Sequence, residues 1–143
     1  MKKLTFTIGI HASKEKVWDV LWHYESFRDW AGYIDPGTYM VGDLALGNEV
    51  QFISSENGYG VTSLVDQFVL HEWLVLKHQA DTQDTGVHER EKEWTGGVET
   101  YRLIEHDDTT TLTVTIDVPF DLVQVMDEAY PKAFERVKVI AEQ

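Results

Sequence analysis

Residues 121–143 read DLVQVMDEAYPKAFERVKVIAEQ, and their apolar side chains recur at spacings of three and four. This spacing is typical of an amphipathic α-helix that buries one face. Asp121 is the predicted N-cap, and Phe120 is expected to pack on Val125 as a hydrophobic staple. A single helix with so apolar a face requires a large surface to cover it.

Pro131 is the one residue that disagrees with a continuous helix. It has no N–H to donate, and its ring clashes with the carbonyl of the preceding turn. We therefore expect either a kink at Pro131 or a second helix that starts near Glu128.

The residues before this helix mostly alternate between apolar and polar, which is the period of half-buried strands. Residues 4–10 form the first strand, and Ser13 and Ser26 are the predicted N-caps of two short helices that follow it. The further strands that the pattern indicates lie at residues 50–52, 59–68, 73–78, 97–105 and 111–118. Asn57-Gly58 suits a tight type I′ turn. Residues 79–93 are rich in charge and are interpreted as a solvated loop or a frayed edge strand.

The order of elements is one strand, two helices, about six more strands and a long helix, which predicts a single α+β domain over residues 1–143. Strands that follow one another pair most simply as an antiparallel meander. The apolar face of such a sheet must be buried, and the terminal helix is the element long enough to cover it. A curved sheet that grips a helix leaves a gap, and ligand sites form in gaps of this kind.

Composition excludes several classes of function. The chain has no cysteine, so disulfides, thiolate metal sites and cysteine nucleophiles are absent, and its net charge of −13 disfavours nucleic acid and anionic membranes as partners. The N-terminus lacks a signal-peptide pattern, and we expect a cytoplasmic location. The histidines form no metal-binding pair, and no phosphate-loop, dinucleotide or serine-hydrolase motif occurs, so neither a metal nor a cofactor is expected.

A series of motifs extends in order over nearly the whole chain. They are Val17-Trp18-Asp19-Val20-Leu21, Trp30, Asp35-Pro36-Gly37, Gly42-Asp43, Trp94-Thr95-Gly96-Gly97-Val98-Glu99-Thr100-Tyr101 and Tyr130-Pro131-Lys132-Ala133. Together they resemble the SRPBCC superfamily of START-like proteins, and most of all the branch named after the activator of the heat-shock-protein-ninety ATPase. The resemblance implies the helix-grip fold, a seven-stranded antiparallel curved sheet wrapped around a long C-terminal helix, with two short helices after the first strand. It implies apolar ligand binding for many members and cyclase or aromatase chemistry for some.

Alternation in the strand that contains Glu99 forces a choice of face. We expect Glu99, Tyr101 and Leu103 to point inward, because the opposite choice buries Arg102. Glu99 then lies at the cavity wall, where it is either a polar anchor or general acid/base for a ligand, or a structural carboxylate bonded to the amides near Gly96-Gly97.

His78 follows Leu74 and Leu76 at a spacing of two, so it should share their face, as a satisfied wall residue or as a catalyst. Trp94 is expected either to gate the mouth of the cavity or to pack on an edge as an exposed loop residue. The apolar candidates would serve equally well in a solid core. The predicted ligand-binding residues are Trp30, Phe52, Leu76, His78, Trp94, Glu99, Tyr101, Met126, Tyr130 and Phe134.

Three functions are compatible with these patterns. The first is binding of a hydrophobic or aromatic small molecule between sheet and helix. The second is a cyclase, dehydratase or hydrolase that uses Glu99 or His78 as general acid/base. The third is a module that contacts a chaperone, with a role in the stress response. A homodimer is also compatible with the sequence.

Overall fold

The computed structural model describes residues 1–83 and 93–143. The strands in these residues are β1 (Lys2–Ile10), β2 (Thr38–Val41), β3 (Glu49–Ser54), β4 (Tyr59–Val69), β5 (Trp73–Gln83), β6 (Val98–His106) and β7 (Thr109–Val118). The helices are α1 (Lys14–Trp22), α2 (Tyr24–Ala31) and α3 (Val123–Ala141), with a 3₁₀ turn at Phe120–Leu122 just before α3.

The strands form one antiparallel sheet in the order β1-β7-β6-β5-β4-β3-β2. The chain meanders from β2 to β7, and β1 adds to the far side of β7. The two short helices after β1 and the long C-terminal helix complete the predicted α+β helix-grip architecture, which the structure confirms.

The inner face of the sheet forms the core because the strands alternate as the sequence indicates. Leu112 and Val114 of β7 are both 0% exposed, and they lie on the same face as Leu103 of β6. Helix α3 packs on β1, α1 and α2. The helix and the concave face of the sheet are therefore in contact, which is the arrangement on which the predicted cavity depends.

The two predicted caps of the short helices have different outcomes. Ser13 caps α1, since its hydroxyl accepts a hydrogen bond from the amide of Lys16 at 3.1 Å. The prediction for Ser26 is wrong, because α2 begins at Tyr24 and the Ser26 hydroxyl instead donates to the His23 carbonyl. His23 is both the C-cap of α1 and the N-cap of α2, so a single residue separates the two helices.

The predicted start of the C-terminal helix is also wrong. Asp121 lies within the 3₁₀ turn, and Leu122 precedes α3 without a side-chain cap. The staple does not form, because Phe120 and Val125 are 71% and 57% exposed. The 3₁₀ turn takes over the role of the cap, since the amide of Leu122 donates to the Pro119 carbonyl at 2.9 Å.

Helix α3 continues through Pro131 from Val123 to Ala141, so the alternative of a second helix near Glu128 is wrong. A proline inside a helix costs about 3 kcal/mol or more. Burial of the side chains around it offsets this cost. Those side chains are Tyr130, Ala133, Phe134, Val137 and Ala141.

The hairpin between β3 and β4 is not the predicted type I′ turn. Among the two residues named for that turn only Gly58 has a positive φ, of 77°, whereas type I′ requires one at Asn57 as well. The connection has four residues, and its amides bond to Ser54: Gly58 donates to the Ser54 carbonyl, and Glu56 donates to its hydroxyl. Side-chain bonding therefore selects a longer turn.

Two further differences concern strands. The sequence pattern did not locate β2, which has only four residues and no alternation of burial. Residues 79–83 belong to β5, and residues 80–83 pair with β4, so the loop alternative is wrong for this part of the charged segment. Residues 84–92 lie outside the described residues.

Candidate functional site

A cavity of about 350 Å³ lies between the curved sheet and the first half of α3. This volume falls within the range of about 300–1,000 Å³ that is usual for small-molecule sites. Helices α1, α2 and α3 and strands β2 to β6 contribute to the wall. The aromatic residues in the wall are Trp22, Phe27, Trp30, Phe52, Tyr59, Trp94, Tyr101 and Tyr130.

The cavity exists because α3 is buried over only part of its length. Its buried side chains begin at Tyr130 and extend to Ala141, whereas Met126 and Leu122 are only partly buried and line the cavity. Tyr130 marks the boundary, since its ring stacks on Phe6 of β1 with centroids 5.3 Å apart and also lines the cavity. Beyond this boundary the helix packs directly on its neighbours.

Polar side chains from three neighbouring strands meet in the wall and directly behind it. The Ser63 hydroxyl on β4 lies 2.7 Å from Nδ1 of His78 on β5, and Nε2 of His78 lies 3.5 Å from Oε1 of Glu99 on β6. The Tyr101 hydroxyl donates to Oε2 of Glu99 at 2.6 Å. These four side chains form a continuous chain of polar contacts, which we call the polar chain.

The register of the sheet assembles the polar chain. His78 and Ser63 are paired across β4 and β5, and Glu99 pairs with Leu76, two residues before His78. Side chains two residues apart on a strand share a face, so the three groups converge on the concave side. The predicted inward orientation of Glu99 and Tyr101 is confirmed, with Tyr101 only 2% exposed.

Both tyrosines near Glu99 are held in the neutral form. Burial, followed by the negative charge of Glu99, raises the pKa of Tyr101 and of Tyr130 well above their ordinary value. A neutral phenol is a hydrogen-bond donor. Tyr101 therefore donates to the Glu99 carboxylate and leaves that carboxylate with further acceptor positions.

The role of His78 depends on the Ser63 hydroxyl. When this hydroxyl donates to Nδ1, the ring proton lies on Nε2 and faces the Glu99 carboxylate. Ser63 is 0% exposed and is absent from the cavity wall, so it orients His78 from behind and is not placed to attack a ligand. Three members of the polar chain, His78, Glu99 and Tyr101, therefore border the cavity, and Ser63 lies behind them.

Trp94 is positioned by Asp81, a residue that the sequence did not single out. The Asp81 carboxylate accepts hydrogen bonds from the amides of Trp94 and Thr95 at 3.0 and 2.8 Å and from the Thr95 hydroxyl at 2.7 Å. The Trp94 ring then lies edge-on to His78, with centroids 6.4 Å apart, and lines the cavity.

Trp22 carries an unsatisfied polar atom in this region. Within the described part of the chain, its indole Nε1 is the buried side-chain nitrogen or oxygen for which no hydrogen-bond partner is found. The ring lines the cavity and contacts Tyr101 edge-on, with centroids 4.9 Å apart. Trp30 differs from it, because its Nε1 donates to the Leu21 carbonyl at 3.0 Å.

Eight of the ten predicted ligand-binding residues line the cavity: Trp30, Phe52, His78, Trp94, Glu99, Tyr101, Met126 and Tyr130. Leu76 and Phe134 do not, because they are 0% and 2% exposed and belong to the solid core. Glu99 bonds to Tyr101 and contacts His78, not the amides of Gly96-Gly97; the Gly96 amide donates to the His78 carbonyl.

Several wall residues were missed by sequence reasoning. Trp22 and Phe27 follow Trp18 and precede Trp30 at helical spacings, a signal that identifies an apolar face but not its exposure to a cavity. Tyr59 and Asn57 belong to the β3–β4 hairpin and carried no such signal. Both are exposed, as is Glu93, so these three residues mark the mouth of the cavity.

Two searches restricted to the described residues give no site of other kinds. No group of three or more histidine, aspartate or glutamate side chains in residues 1–83 and 93–143 is arranged to hold a metal ion. The helices in the same ranges include none that is long and apolar enough to cross a bilayer.

The fold and the cavity define this chain structurally as a helix-grip protein with an aromatic-walled pocket. Neither a protein-family model nor a curated protein matches the sequence. Solved structures match the fold over nearly the whole chain. The Aha1 dimer from Colwellia psychrerythraea, determined in solution, has a TM-score of 0.72 at 17% identity, covering 99% of this chain and 97% of that one.

Two further solution structures have the same fold as this chain. The AHSA1-like protein from Aeromonas hydrophila has a TM-score of 0.69 at 13% identity, covering 99% of this chain and 92% of that one. A protein from Arthrobacter aurescens has a TM-score of 0.74 at 11% identity, covering 97% and 85%. The chain therefore shares its fold with Aha1-like proteins, as the sequence motifs predicted. Identities this low establish the fold alone.

Proposed function

We propose that this protein binds a hydrophobic or aromatic small molecule in the cavity between the sheet and the first half of α3. The observation that carries the proposal is the combination of a volume of about 350 Å³ with a wall of aromatic side chains. Desolvation of an apolar ligand there contributes roughly 25 cal/mol per Å² of apolar surface buried. The polar chain at one side of the wall orients the ligand.

The neutral fluorophore N-phenyl-1-naphthylamine tests this proposal, because its emission rises in apolar surroundings. Met126 lines the cavity, and the neighbouring Val125 is 57% exposed on the same helix. Met126→Trp fills the cavity and is expected to weaken binding at least about tenfold, whereas the matched Val125→Trp leaves binding unchanged. Equal binding by both variants, or no binding by the unmodified protein, contradicts the proposal.

A second candidate function is general acid–base catalysis, which the contact between His78 Nε2 and Glu99 Oε1 at 3.5 Å favours. Both groups border the cavity, so a bound molecule lies within reach of either. A carboxylate that borders an enclosed site can accept a proton from a molecule held within hydrogen-bonding reach.

The ring opening of 5-nitrobenzisoxazole tests this candidate, since a general base removes the C–H proton as the N–O bond breaks and a coloured phenolate forms. Glu99→Gln is expected to lower the rate by about 10²-fold or more while the substrate still binds. Glu128→Gln, which removes an exposed carboxylate from α3, is the matched control. A rate equal in both variants rejects Glu99 as the base.

A further inference from the structure

The ionisable side chains of the cavity wall are unbalanced in charge. Asp35, Glu93 and Glu99 are three carboxylates, and His78 is the one basic side chain. No lysine or arginine of residues 1–83 and 93–143 lines the cavity. Asp35 and Glu93 lie towards the mouth and have interactions with other groups, which leaves Glu99 as the carboxylate to pair with a ligand.

The Glu99 side chain is largely removed from water, since it is only 13% exposed. It accepts a hydrogen bond from the Tyr101 hydroxyl and has a long contact of 3.5 Å with His78. An ionised carboxylate offers about four acceptor positions. At least one position thus remains for a ligand, and a carboxylate removed from water is stabilised most by a partner of opposite charge.

The rings around Glu99 favour the same kind of ligand. The face of an aromatic ring carries a partial negative charge, which attracts a cation within about 6 Å. Trp22, Tyr101 and Tyr130 belong to the wall, and Tyr101 is in direct contact with both Glu99 and Trp22. An ammonium group beside Glu99 therefore lies in a wall of aromatic rings that can attract a cation, whereas an anion is repelled by the carboxylate.

We infer that the cavity selects a protonated amine attached to an aromatic or apolar body, with the Glu99 carboxylate as the partner of the ammonium group and the aromatic wall around the body. This inference rests on the proposed function and gives the chemical class of its ligand. The apolar body is desolvated as in any such pocket, and the charge adds selectivity. Aromatic acids of the same size are excluded by repulsion from Glu99.

Three probes that share one ring system and differ in charge test the inference. They are 1-naphthylmethylamine, which is protonated at neutral pH, 1-naphthalenemethanol, which is neutral, and 1-naphthoic acid, which is an anion. Dissociation constants from isothermal titration calorimetry are expected to rank amine, alcohol and acid from tightest to weakest. The amine should bind about tenfold more tightly than the alcohol, the gain typical of one charge-assisted hydrogen bond.

Glu99→Gln is expected to remove the preference for the amine and to leave the binding of the alcohol within about twofold, since the apolar contacts remain. Glu128→Gln removes the same charge from the exposed face of α3 and should preserve the ranking, which separates a local contact from the overall negative charge of the protein. The near-ultraviolet circular dichroism of both variants shows whether the aromatic packing is intact.

The outcomes distinguish this inference from the proposed function. If the alcohol binds and the amine binds no better, or if the acid binds best, the cavity takes aromatic ligands but the inference is overturned. If Glu128→Gln abolishes the preference as fully as Glu99→Gln, the assignment to Glu99 is overturned. If none of the three probes binds, the proposed function and the inference both fail.

Discussion

The two halves of α3 both carry apolar side chains on one face, but these side chains have different surroundings. In the closed half, residues 133–141, the side chains of Ala133, Phe134, Val137 and Ala141 are buried. In the open half, residues 123–129, Met126 borders a cavity, as does Leu122 just before the helix. Tyr130 lies between the two regions, stacked on Phe6 and facing the cavity. The comparison teaches that one amphipathic pattern supports both a solid core and an open cavity, because the sheet curves away from a helix that continues.

The largest loss of stability is expected when a buried side chain in the closed half of α3 is truncated. Phe134 is 2% exposed in the core, so Phe134→Ala should lower the free energy of unfolding by about 3–5 kcal/mol. Met126→Ala, in the open half, should cost less than about 1 kcal/mol, because Met126 is only partly buried and already borders empty space. Urea unfolding measures both values. Equal costs would show that the two halves are packed alike.

The polar chain should be the next most sensitive feature, although it borders the open half. Ser63→Ala leaves Nδ1 of the buried His78 without its partner, and we expect a loss of about 1–3 kcal/mol. Thr111→Ala, at an exposed position of β7, is the control and should cost clearly less. The ¹⁵N chemical shifts of the His78 ring should also change in Ser63→Ala. Unchanged shifts would mean that Ser63 does not set the tautomer.

An ion pair on the outer side of the closed half should make a smaller, pH-dependent contribution. Arg136 of α3 donates twice to the Asp29 carboxylate of α2, at 2.9 Å each, and this holds the pKa of Asp29 below its ordinary value of 3.8. A lowered carboxyl pKa stabilises the fold above the unfolded pKa, and the contribution is lost as pH falls through the folded pKa. The side chains are 33% and 37% exposed, so screening limits the effect to about 0.5–1 kcal/mol.

Asp29→Asn tests this contribution when unfolding is measured as a function of pH. The variant should be less stable than the unmodified protein at neutral pH, and the difference should shrink as pH falls below 3.8. A difference that stays constant over this range would assign the effect to packing instead of charge.

The smallest effect on stability is expected at Phe120, in the 3₁₀ turn just before the open half of α3. Phe120 is 71% exposed and makes no staple with Val125, so Phe120→Ser should change the free energy of unfolding by less than about 0.5 kcal/mol. Thermal and urea unfolding are suitable measurements. A loss above about 1 kcal/mol would indicate that the ring is buried against α3 in solution.

Local patterns predicted much of the site and missed the parts that depend on distant contacts. Period two placed His78, Glu99 and Tyr101 on the inner face without knowledge of the fold, because alternation is a property of the strand itself. The same rule assigned Leu76 to the cavity, and the structure buries it in the core. Which inward residue meets empty space depends on the curvature of the whole sheet.

The start of α3 gives the opposite lesson. Asp121 and Phe120 match a sequence signature for a capped helix, yet a 3₁₀ turn forms there and the ring stays exposed. Asn57-Gly58 likewise matches a hairpin signature, and the bonds to Ser54 select a longer turn. These signatures are worth only about 1 kcal/mol, so nearby hydrogen bonds easily override them.

The sequence by itself determined the order of the elements apart from β2, the inward faces of the strands and the amphipathic nature of the terminal helix, since each follows from a short-range period. Only the tertiary structure decided that α3 passes unbroken through Pro131, that Ser63 lies behind His78, and that His78 contacts Glu99 in the cavity wall. Those features arise from contacts between residues far apart in the chain. Their energies depend on how the sheet bends around the helix, which no local pattern encodes.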